Sequence, residues 1–171
     1  MSKVVLALLI ASAMSTSLME RADAQLPVGP PANLLQLMRG TLYPESNVVF
    51  AAQDVNPEDV PHAKDPAMAT DPLASQFGKW QAVENNALAI AEVADLLMVP
   101  GRKCLNGLDV PVKNPDWAKF VQELRDAGMT AYAAAQTKNQ DKMTDAAGVM
   151  TAACMHCHVK YREKKPADRC K

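Results

Sequence analysis

The run Cys154-Met155-His156-Cys157-His158 constrains this chain more than any other feature, because it places three chemistry-bearing side chains on what reads as the last helix. At helical spacing Cys154, Cys157, His158 and Tyr161 fall at i, i+3, i+4 and i+7, so all four share one face. The pattern C-x-x-C-H is also the attachment signature of c-type haem. Two thiols three positions apart can add across the two vinyl groups of one haem, and the adjacent imidazole can then reach its iron. A haem held in this way lies along that helix face. The plainer readings are a redox C-x-x-C pair or half of a zinc site. The remaining cysteines, Cys104 and Cys170, do not supply the second C-x-x-C that a zinc ribbon requires.

The start of the chain agrees with the haem reading, since c-type haem is attached outside the cytoplasm. Lys3 precedes an apolar run over 4–14, and Ala22-Asp23-Ala24 supplies the small-x-small cleavage pattern of a secretory signal peptide. The run is too short for a membrane anchor, which needs about 20 apolar residues. We therefore expect a removed signal peptide at 1–24, a single mature domain at 25–171 without a membrane anchor, and a periplasmic location. The formal net charge of −1 offers no basic footprint for nucleic acid. Lys160, Arg162, Lys164, Lys165, Arg169 and Lys171 nevertheless crowd the tail. A solvated helix end, where cations suit the helix dipole, is the simpler account of them, and a docking surface is the other.

Proline marks where helices begin. Asp71-Pro72 and Asn114-Pro115 both read as N-cap followed by first helical position. No proline occurs between Pro72 and Met98, and Leu73, Phe77, Trp80, Ala87, Ala91, Ala94 and Leu97 step largely by threes and fours. That spacing predicts one long helix over 72–98. A second helix is expected over 115–138, with Trp117, Val121, Leu124, Gly128, Ala131 and Ala135 on its inner stripe. Asn139 ends it and caps a last helix over 140–164. An earlier stretch over 32–53 is interrupted by Gly40 and Pro44 and reads as a kinked or two-part helix. The proline-bearing segments 54–70 and 99–114 read as ordered loops. The fold class expected is all-α, an antiparallel four-helix bundle with haem covalently attached to its C-terminal helix.

Extended by four residues, the motif becomes Cys154-Met155-His156-Cys157-His158-Val159-Lys160-Tyr161-Arg162, which resembles the C-x-x-C-H-x-x-Y-R ending of the class II c-type cytochromes. That family includes the high-spin cytochromes c-prime and the low-spin cytochrome c556 group, four-helix bundles that carry haem on the last helix. The resemblance implies that Cys154 and Cys157 are thioether attachment sites and that His158 is the proximal iron ligand. It makes Arg162 the basic residue beside that histidine, although an ordinary exposed arginine is as good a reading. Tyr161 is expected to pack against the haem edge.

The sixth iron position separates two functions. A thioether there makes a low-spin electron carrier, and an open position leaves the iron free for a small gas such as nitric oxide. In low-spin members a methionine of the first helix fills it, which the resemblance maps to Met38. The match is imperfect, because Arg39 follows Met38 where the family often has an arginine one turn before. With ten methionines in the chain, a leucine-flanked one is often just core. His62, Met68 and His156 are weaker candidates: the first two sit in a polar loop, and His156 should point away from the iron. The expectation is a mono-haem electron-transfer protein, not an enzyme, serving a redox protein partner, with one haem c as cofactor. The alternative is a gas-binding cytochrome. The family's habit of pairing through helices leaves a homodimer open.

Two cysteines remain once haem has taken its pair. An oxidising compartment and an even remainder favour a Cys104–Cys170 disulfide, with free thiols or pairing between chains as the alternative.

Overall fold

The computed structural model describes residues 29–171. The signal-peptide reading of 1–24, its cleavage site and the first residues of the expected domain lie outside them. Within the described residues the chain is all-helical, with no strand; a lone bridge pairs Lys103 with Asp109.

The first helical stretch is built in three parts. Asn33 opens α1 (Leu34–Leu37) with a reciprocal capping box to Gln36. A π-helical segment, Met38–Leu42, follows, and α2 (Tyr43–Asp54) continues from it. Pro44 explains the interruption. It has no N–H to give, and its ring would crowd the carbonyl of Gly40 in regular α-geometry. The wider turn instead lets the Tyr43 N–H donate to the Met38 carbonyl.

The expected helix over 72–98 is shorter than its apolar spacing suggested. The Asp71 carboxylate caps Leu73, but only for a 3-10 turn, Pro72–Ala74; the α-helix α3 runs Lys79–Val93, and Ala94–Met98 is 3-10 again. At the front, backbone groups bond across to the preceding loop: Ala63 N–H donates to Ala74 O at 2.9 Å and Gln76 N–H to Pro66 O at 3.0 Å. Gly78 then passes so close that a Cβ there would stand 2.3 Å from Leu73 O. Phe77, placed on the buried stripe by its spacing, is 61% exposed. At the rear, the Leu96 and Leu97 carbonyls accept from the side chains of Arg102 and Trp117, which favours the tighter turn.

Helix α4 (Pro115–Gln136) starts at the expected proline, and α5 (Gln140–Tyr161) is capped by the Asn139 side chain. Helix α5 stops three residues before its expected end. The Arg162 and Glu163 N–H groups both donate to His158 O, and the tail turns back so that Cys170 N–H reaches Tyr161 O at 3.1 Å.

The four helices α2 to α5 pack together: α3 lies on α4, α4 on α5, and α2 on both α3 and α5. Trp80, Ile90, Trp117, Met143 and Met150 fill the interior between them. Where α3 meets α4 the contact is made by small residues, and a Cβ on Gly128 would lie 2.9 Å from Ala87 O and from Ala91 N. The loop after α3 is fastened near its start. Buried Arg102 donates to the Ala32 and Leu96 carbonyls, and Leu34 N–H donates to Lys103 O. No helix among the described residues is long and apolar enough to cross a membrane.

Candidate functional site

The end of α5 opens onto a cavity of about 1080 Å³, just above the roughly 300–1,000 Å³ usual for small-molecule sites. Cys154, Cys157, His158, Tyr161 and Arg162 all line it, as the i, i+3, i+4, i+7 spacing requires of the first four. Across the space, Met38 reaches the same cavity from the π-helical segment, where it is half-buried beside Leu34 and Leu35. Trp117, Phe120, Val121 and Leu124 of α4 supply an apolar wall.

Burial sets the chemistry of the three motif side chains. It pushes the Cys157 thiol up to about 12, with the charges of Cys154 and Asp116 adding to the effect. It also raises the Cys154 thiol, against a smaller opposing pull from Arg162. The same desolvation, helped by Arg162, lowers the His158 imidazole below its ordinary value and so favours the neutral ring. Protonated thiols are the opposite of what thiol–disulfide exchange needs, since redox-active C-x-x-C pairs work through a depressed thiol pKa. A neutral imidazole is the form that ligates a metal. Among the described residues, no three His, Cys, Asp or Glu side chains gather as a site for a bare metal ion. Two unbonded thiols and a neutral imidazole facing a large apolar cavity fit a group that is itself bulky and apolar and carries its metal with it.

Tyr161 is fixed more firmly than packing alone demands. It is 3% exposed and stands edge-to-face on Trp117 at 5.0 Å between ring centroids. Its hydroxyl donates to Asp116 Oδ1 at 2.7 Å and accepts from Asn114 at 3.4 Å. Asp116 also pairs with Lys160, and hydrogen bonds from Lys160 and then Tyr161 hold its carboxyl below the ordinary value. Arg162 is exposed and pairs with Glu163 at 2.7 Å. The weaker candidates stay outside. His62 lies exposed against Ser75 O, Met68 is 77% exposed, and His156 bonds Glu123 Oε2 at 2.8 Å on the outer side of α5.

One wall of the site was not foreseen from the sequence. Cys104, Leu105 and Asn106 from the loop, and Pro166, Ala167, Arg169 and Cys170 from the tail, line the cavity beside the helices. Cys104 and Cys170 are disulfide-bonded with their Cα atoms 6.6 Å apart, and both are buried rather than loose. The Asn106 amide donates to the Pro166 and Arg169 carbonyls, each at 3.0 Å. The paired cysteines were the available signal, but they point to a staple, and nothing in their spacing says that it closes over the site.

Comparison with protein-family models, curated proteins and solved structures finds no match for this chain.

Proposed function

We propose that this is a c-type haem protein, its haem bonded through thioethers to Cys154 and Cys157 and its iron bound by His158. The observation that carries the reading is that both thiols, the neutral imidazole and Met38 line one large apolar cavity. More particularly, we propose a class II cytochrome: an antiparallel four-helix bundle that is exported, loses residues 1–24, and carries electrons in the periplasm for a redox protein partner. The disulfide between Cys104 and Cys170 supports export, since such bonds persist in oxidising compartments. When bound, the haem supplies an iron that alternates between ferric and ferrous states. The chain's own residues do the rest. The α4 wall excludes water, buried Tyr161 holds the end of α5 against α4, and Met38 is the candidate sixth ligand because it enters the cavity from the first helical stretch.

Attachment is the decisive test. Mature protein recovered from an exporting host should keep its haem through denaturation and acid extraction, with a mass equal to the chain from Gln25 plus one haem. Cys157→Ala should weaken or abolish that retention, and haem lost from the wild type on acid extraction would end the claim. An absorption spectrum of the reduced protein with and without carbon monoxide separates the two functions. A low-spin spectrum unmoved by the gas marks an electron carrier, while ready binding to high-spin iron marks a gas-binding cytochrome.

A further inference from the structure

The charge of this molecule is distributed unevenly, and the excess of cations lies at the mouth of the cavity. Five basic residues line it, Arg39, Arg162, Lys164, Lys165 and Arg169, against one acid, Glu163, in a chain whose formal net charge is −1. The rest of the chain is therefore net acidic. Elsewhere several cations have carboxylate partners, Lys79 with Glu58, Lys103 with Asp109, Arg125 with Asp95 and Lys160 with Asp116, while Lys64, Lys113, Lys138 and Lys142, which make no ion pair among the described residues, are not gathered at the cavity. At the mouth Arg162 pairs with its neighbour Glu163 and the Lys164 ammonium donates to Lys171 O at 2.9 Å; Arg39, Lys165 and Arg169 make no ion pair among the described residues. All five basic side chains are exposed.

A solvated helix end does not account for this cluster. Helix α5 stops at Tyr161, so Lys164, Lys165 and Arg169 stand on a tail that the disulfide and Asn106 hold beside the opening. Like charges held together by a covalent tie repel one another, and that repulsion is relieved when an anionic surface covers them. The same opening exposes two large apolar side chains, Tyr43 at 65% and Leu105 at 67%. Apolar residues within a cationic surround are the pattern of a protein docking face, in which charge steers the encounter and apolar contact holds it.

We propose that the cavity mouth is the docking surface for an acidic protein partner, with Lys164, Lys165, Arg169 and Arg39 as its charged surround and Tyr43 and Leu105 as its apolar contact. The inference rests on the haem reading for its purpose, electron exchange at this opening, but not for its geometry. Two carboxylates of a bound haem would neutralise part of the cluster and still leave it net positive. A protein surface fits better than a lipid surface, because the cations surround a recess rather than lie on a flat or bulging face.

The test uses the mature exported protein and two sets of probes. A fluorescent decaglutamate peptide should bind, with affinity falling at least about tenfold between 20 and 200 mM salt as screening shortens the reach of the charges. Lys165→Glu/Arg169→Glu, and the milder Lys165→Gln/Arg169→Gln, should weaken it, the reversal by about tenfold or more. Lys138→Glu/Lys142→Glu, near the start of α5 and about 28 Å from Tyr161 along the helix, should leave it unchanged. Equal loss in both sets, or no binding, overturns the proposal, and so does binding to phosphatidylglycerol vesicles but not to the peptide. The second probes are hexacyanoferrate and hexaammineruthenium. Faster electron exchange with the anionic complex, reversed in Lys165→Glu/Arg169→Glu, supports docking at the mouth. Exchange insensitive to probe charge overturns it while leaving the haem reading intact. Peptide binding without exchange with either complex would instead sink the haem reading and keep the docking face.

Discussion

Replacing both Cys104 and Cys170 with alanine should lower stability by about 4 kcal/mol. The bond closes a loop of sequence separation 66, and the loop-closure entropy removed from the unfolded chain grows with the logarithm of that length. The native state should change little. Without the bond, Cys170→Ala keeps its backbone N–H on Tyr161 O, and Asn106 still donates to the tail carbonyls. Alanine, unlike serine, adds no hydroxyl to either buried position. Most of the effect therefore falls on the unfolded state, where the free loop gains conformations. For a domain of this size that corresponds to a midpoint lowered by roughly 8–16 °C. Thermal unfolding of the oxidised wild type and the double variant, followed by circular dichroism, measures it; peptide mapping of unreduced protein locates the bridge. A shift below about 2 °C with the bridge mapped in place would refute the entropic argument.

Other substitutions probe single contacts. Gly128→Ala should destabilise the protein by about 1–3 kcal/mol in urea unfolding, although alanine favours helix, because its Cβ meets backbone of α3 at 2.9 Å. Asp116→Asn should cost stability at neutral pH and progressively less in acid. The Asp116 carboxyl is depressed in the fold, so its contribution is full above the unfolded value and disappears as pH falls through the lower folded one. Urea midpoints measured from pH 6 down to pH 3 should converge for variant and wild type, and a constant gap would contradict this. Met38→Ala should turn a low-spin spectrum high-spin and lower the reduction potential, since a thioether favours ferrous iron. An unchanged spectrum removes Met38 from the site.

What could be read from the sequence was whatever local spacing decides. The shared face of Cys154, Cys157, His158 and Tyr161 follows from helical geometry, and all four do line one cavity. Pro115 opens α4 because a residue without an N–H costs nothing at a first helical position. Gly40 and Pro44 announced an interruption but not its form, since whether a helix kinks or widens into a π-turn depends on which carbonyl the next N–H finds. Phe77 failed for a different reason. Its spacing suited a helix, yet the segment's backbone bonds went to residues 63 and 66, partners that no periodicity within 72–98 reveals. The rim of the cavity was hidden in the same way. Six tail cations were visible, but their reading as a helix end depended on where α5 stops, and that is settled by the two N–H groups sharing His158 O and by the return of Cys170 to Tyr161. Once the tail is folded back, four of them, Arg162, Lys164, Lys165 and Arg169, stand at one opening instead of being dispersed along a solvated helix face. Their meaning changed because the chain path changed, not because their charge did.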